Sequence, residues 1–108
     1  MEEVKVNIVE ILDDSFYPGI IKFELTDIHG KLNIFTEKPV VLYFCGDTLL
    51  PAKIPCEGLL PCKIIHKSGD IVTINTYIEK NWVESDDEES IFVVSEENVF
   101  ERSDNCNA

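Results

Sequence analysis

The sequence predicts an all-β fold: a small antiparallel barrel or strongly curved sheet of six or seven short strands, with one short helical turn near the C-terminus. Three observations carry that expectation. Apolar and polar residues alternate over several separate stretches, the two-residue period of a half-buried strand. Gly, Pro, Asp, Asn and Ser punctuate those stretches with turn chemistry. The segment TLLPAKIPCEGL, residues 48–59, holds two prolines and a glycine and opposes a long regular helix. Barrel closure is favoured because it removes exposed sheet edges; an open sandwich is the competing architecture.

The first strand is expected over residues 4–12, with Val4, Val6 and Ile8 on one face and Lys5 and Asn7 on the other. Asp13–Asp14–Ser15 and Pro18–Gly19 end it, and Phe16 and Tyr17 are expected over the barrel end or the core rim. Residues 20–26 resume with Ile21, Phe23 and Leu25 inward. Asp27–Ile28–His29–Gly30 forms a tight turn into a strand over residues 31–37 with Leu32 and Ile34 inward. Pro39 opens a buried strand over residues 40–44, and residues 48–59 make a crossover loop.

A second hairpin follows: Leu60, Cys62 and Ile64 alternate up to the turn His66–Asp70. Val72, Ile74 and Thr76 return on one face, continued by Ile78 if the strand extends. Ile71, Thr73, Asn75 and Tyr77 form a mixed second face, suited to a barrel edge or to recognition. Val83 and Ile91–Val94 are expected to flank a third hairpin whose solvent-exposed tip is ESDDEES. Trp82 reads as an anchor of that hairpin's base against the core, or alternatively as an exposed interface aromatic. Ser95–Glu96–Glu97 begin a single helical turn through Phe100, with Ser95 as its cap. The reading gives one β domain over residues 1–100 and a polar, flexible tail over 101–108.

The chain has 108 residues, room for one core but not for two stable units. Its 44% apolar content argues against disorder throughout. The formal charge is −12, and residues 79–108 hold ten carboxylates against two cations. That field disfavours nucleic acid, whose phosphates call for positive charge, and favours a basic protein partner; solubility alone is the plain alternative. No membrane span is expected, since PVVLYFCG is too short, and the first residues do not form a secretion signal, which makes the cytoplasm the expected location. Cys45, Cys56, Cys62 and Cys106 lack zinc-ribbon spacing, and Cys45 and Cys62 read as small buried thiols on strands.

No motif names a reaction. His29 and His66 each lie near an aspartate, Asp27 and Asp70, but acid–base chemistry needs reaction-distance geometry. No cofactor fingerprint, phosphate loop or calcium loop occurs, and the adjacent acids of DDEE specify no coordination shell. No catalytic, cofactor or metal residue is therefore assigned. The leading expectation is a noncatalytic acidic protein-binding module, including an inhibitor or immunity protein that masks a basic surface. Its candidate interface is Trp82, Glu84, Asp86, Asp87, Glu88 and Glu89, with the loops at 13–19, 45–58 and 84–90 as recognition sites. A small-ligand domain or enzyme with a pocket built from His29, His66 or Cys62 is the first alternative. A passive structural protein solubilised by its acids is the second. The order Phe16–Tyr17–Pro18–Gly19, Asp27–Ile28–His29–Gly30 and Glu37–Lys38–Pro39–Val40–Val41 resembles small bacterial all-β proteins of uncharacterised role or proposed immunity association. That resemblance implies one β domain with a protein partner, and it transfers no catalytic residue.

Overall fold

Residues 2–13, 19–42, 54–79 and 81–101 are described by a computed structural model of the chain. Alternation builds the central strand: β1 (Glu2–Asp13) buries Val4, Val6 and Ile8 while Lys5 and Asn7 turn outward. One edge of β1 pairs with β4 (Cys56–Ser68) from Glu2 to Ile8. Its other edge is shared between β9 (Val99–Glu101), at Glu2–Val4, and β2 (Ile20–Thr26), at Asn7–Asp13.

With β3 (Leu32–Glu37), β5 (Ile71–Asn75) and β8 (Ile91–Ser95), these strands form a curved antiparallel half-barrel in the order β3-β2-β1-β4-β5-β8. Irregular register between Ile8 and Glu10, Ile11 and Asp13, and Ile64 and His66 supplies bending, as bulges do. Beyond β8 a 3-10 turn at Glu96–Asn98 leads into β9 and so back to β1. Two further hydrogen bonds tie the β2–β3 turn to β8 and the loop that precedes β8 to β3. The Ile28 amide donates to the Val93 carbonyl (2.8 Å) and the Asp86 amide to the Ile34 carbonyl (2.8 Å). Inside, Phe35 stacks on Phe23 with centroids 5.0 Å apart and tilts against Phe92 at 5.7 Å. The curved, barrel-like all-β architecture is thus the one expected, although β1 and β4, at 12 and 13 residues, are not short.

Several local expectations are corrected. Leu32 and Ile34 do not point inward; Asn33 and Phe35 do, and Leu32 is 51% exposed. Five residues separate the paired Thr26 and Leu32, which sets Leu25 opposite Asn33 and Phe23 opposite Phe35. Directly opposed residues share a face, so this turn length fixes the phase. Asn33 tolerates burial because its amide donates to the Leu25 carbonyl (3.1 Å), with Asp27 Oδ2 and the Lys31 carbonyl at 3.4 Å.

The strand expected from Val40 begins instead as a 3-10 turn, Pro39–Val41, ahead of the buried Leu42. Pro39, with its fixed φ and missing N–H, occupies the start of the turn, where no donor is lost. Tyr43 and Phe44 lie outside the described residues, as do Phe16, Tyr17, Cys45 and Cys106. The crossover loop ends earlier than expected, because residues 56–59 already pair with β1. The β4–β5 turn is only Gly69–Asp70, and Gly69 holds φ +62°, a conformation cheap for glycine alone. Ser95 precedes the 3-10 turn but makes no side-chain cap. No helix among the described residues is long and apolar enough to cross a membrane.

Candidate functional site

The inward alternation of β5 ends at Thr76, and that residue organises the candidate site. Asn75 Oδ1 accepts the Tyr77 amide (2.9 Å), which turns the chain out of the sheet. Thr76 is fully buried. Its amide donates to the Ser90 carbonyl (2.9 Å) and its hydroxyl to the Val83 carbonyl (2.8 Å), while its own carbonyl accepts the Val83 amide (3.3 Å). Between these pins lies a ribbon of two short strands, β6 (Tyr77–Ile78) and β7 (Asn81–Trp82), with Tyr77 opposite Trp82. The Asn81 side chain ties the ribbon to the Val41 carbonyl (3.2 Å).

Trp82 therefore does not anchor a hairpin to the core. It is 68% exposed and stacks on the half-exposed Tyr77, with centroids 6.3 Å apart and ring planes 21° from parallel. The neighbouring Val83 takes the core position. Val83 and Ile91–Val94 do not pair as a third hairpin either: β7 pairs with β6 and β8 with β5.

The five acidic side chains of residues 84–89 are exposed, as expected, but their backbone is not a free tip. Buried Ser85 holds the loop together: its amide donates to the Glu89 carbonyl (2.7 Å), its carbonyl accepts the Glu88 amide (2.8 Å), and Oγ accepts the Glu89 amide (3.1 Å). Glu88 sits at φ +62° in this winding. Asp86 docks the loop on β3 through its amide and through Thr36 Oγ1, which donates to Asp86 Oδ2 (3.0 Å). Lys31 lies 3.8 Å from Glu89 across the same junction. Burial, with Asp86 close by, pushes the Glu37 carboxyl above its ordinary range, and Lys38 opposes that shift.

A cavity of about 500 Å³ opens beside the ribbon. Tyr77 and Ile78 line it with apolar surface, the buried Cys62 adjoins it, and Glu2, Lys63, Asn75 and Glu79 supply the polar groups. The buried Cys62 thiol is pushed up to about 12 by desolvation, with Glu2 and Glu3 adding to the shift, so it remains a neutral thiol at ordinary pH.

Neither histidine lines this cavity. His66 pairs with Thr73, Thr73 with Val93, and the Val93 carbonyl meets the turn that carries His29, so about three strand spacings, roughly 15 Å along the sheet, separate the histidines. Cys62 faces the core while His66 is exposed four positions further along the same strand. His29, His66 and Cys62 therefore do not meet in one pocket. Asp27 serves the β2–β3 turn, accepting the His29 and Lys31 amides at 2.9 and 3.0 Å. Burial works to raise its carboxyl, but those hydrogen bonds, with Asn33, hold it below its ordinary range.

Among the described residues no group of three or more His, Cys, Asp or Glu side chains is arranged to hold a metal ion. Trp82 and the acids stand out in the sequence, whereas Glu2, Lys63 and Glu79 carry no local signal of a shared site. The available signal was Asn75–Thr76, two polar residues where an unbroken strand would continue its apolar alternation. No protein-family model, curated protein or solved structure matches this chain.

Proposed function

We propose that the protein is a noncatalytic binding module that docks a basic protein surface, as an inhibitor or immunity protein does when it masks a partner. The observation that carries this reading is Trp82, held out in solvent on a ribbon pinned at both ends, with the acidic loop next in the chain. An exposed aromatic pair on a fixed backbone offers large contact area with little conformational entropy to lose, the character of an interface anchor. The carboxylates supply long-range attraction and the rings short-range fit.

A pull-down from the source cell tests the proposal with the wild-type chain, Trp82→Ala and a quadruple E84Q/D87N/E88Q/E89Q variant. Asp86 is left in place because its carboxylate binds Thr36. The expected result is one basic partner, retained by the wild type in low salt, released as salt rises, and lost from both variants while their circular dichroism is unchanged. A partner profile identical across all three proteins overturns the proposal.

A further inference from the structure

Resting on that docking reading, we propose that the cavity beside the ribbon receives one basic side chain of the partner, an arginine in preference to a lysine. The cavity, about 500 Å³, lies in the range that accommodates a small ligand and is ample for a single extended side chain. Its chemistry divides as an arginine divides. Ile78 offers apolar surface to the methylene stem. Tyr77 offers a ring for the guanidinium plane, and Trp82 backs that ring from across the ribbon. Glu2, half-buried at the start of β1, and Glu79, just beyond β6, bring carboxylates to the same lining.

A planar guanidinium meets a carboxylate through two parallel hydrogen bonds and lies flat on an aromatic ring, whereas an ammonium does neither as well. Lys63 also lines the cavity and is exposed; its charge opposes an incoming cation without reversing the sign set by two carboxylates. An anionic ligand meets that same pair of carboxylates. A purely apolar one leaves four polar residues without compensation.

The test uses an acetylated, amidated Gly-Arg-Gly-Arg-Gly peptide and its citrulline analogue, which keeps the shape and removes the charge. Trp82 is the only tryptophan in the chain and stacks on a cavity-lining ring, so its fluorescence follows binding; titration calorimetry provides a second readout. The arginine peptide is expected to saturate and the citrulline peptide to bind roughly tenfold more weakly or not at all. Glu79→Gln and Glu2→Gln each weaken arginine binding by roughly tenfold, and Lys63→Ala tightens it severalfold. Glu79 is exposed, so its variant tests the cavity even if Glu2→Gln disturbs pairing within β1. Equal affinity for the two peptides, no saturable binding, or full affinity in both glutamine variants overturns the inference. The quadruple loop variant separates the two proposals. Loss of peptide binding there alone overturns the cavity and leaves acidic docking standing; loss in the cavity variants alone supports the cavity and removes the loop from recognition.

Discussion

The paired Tyr77 and Trp82 hold large rings out in solvent, whereas the eight residues after Trp82 carry five carboxylates and are bound down onto β3. Hydropathy alone suggests the reverse, with the tryptophan inside and the acids free. The difference lies in the backbone. Thr76 bonds both main-chain groups of Val83, which sets that pair on the inner face. Neighbouring residues of an extended chain point to opposite sides, so the next pair outward, Tyr77 and Trp82, must face solvent. In the loop, the Ile34 carbonyl at the edge of the sheet needs a donor, and the Asp86 amide satisfies it while the carboxylates remain in water. A charged segment can therefore serve as a structural clasp, and an apolar one can be left available.

The strongest way to break this contrast is Thr76→Val. It keeps the buried volume but removes the hydroxyl that the Val83 carbonyl uses, and should cost about 1–3 kcal/mol. Urea denaturation measures the loss, and hydrogen exchange should show the Val83 amide becoming less protected; unchanged stability would remove the pin from this account.

A smaller effect is expected from Asp86→Asn, which weakens the Thr36 bond by about 0.5–1.5 kcal/mol and removes a charge near Glu37. The pH dependence has a definite sign. A carboxyl with a raised folded pKa stabilises the protein fully below its ordinary value of 4.5, and that contribution is lost as pH rises through the folded pKa. Asp86→Asn should bring the Glu37 titration, followed by carboxyl NMR, down toward 4.5 and narrow that window. A Glu37 titration identical in both proteins would show that burial acts alone.

The smallest effect sharpens the comparison from the other side. Trp82→Ala should change stability by no more than about 0.5 kcal/mol, because most of the ring is already in water. A loss of several kcal/mol would mean that the tryptophan is a core anchor after all.

Much of the framework was legible in the residues. Val4, Val6 and Ile8, then Ile21, Phe23 and Leu25, then Val72, Ile74 and Thr76 alternate as they are buried, because a strand with one face in the core repeats every two residues. The Asp27 turn was legible too, since Asp and Gly carry their turn chemistry locally. The phase of β3 was not: it depends on how many residues the turn leaves unpaired, and Leu32 and Ile34 look as suitable for burial as Asn33 and Phe35 until the partner strand is fixed. For the candidate site, the sequence named the exposed acids and Trp82 but not the cavity, whose lining comes from β1, β4 and the ribbon.

By itself, then, the sequence determined which segments extend, which faces of most strands are apolar, and where the negative charge accumulates. These follow from interactions between near neighbours and from side-chain chemistry. Only the tertiary structure decided that Trp82 faces water, that Asp86 fastens the β3 edge, and that Glu2 and Glu79 share a cavity. Each of these requires a long-range pairing register, which places distant residues together through backbone hydrogen bonds that no side-chain pattern records.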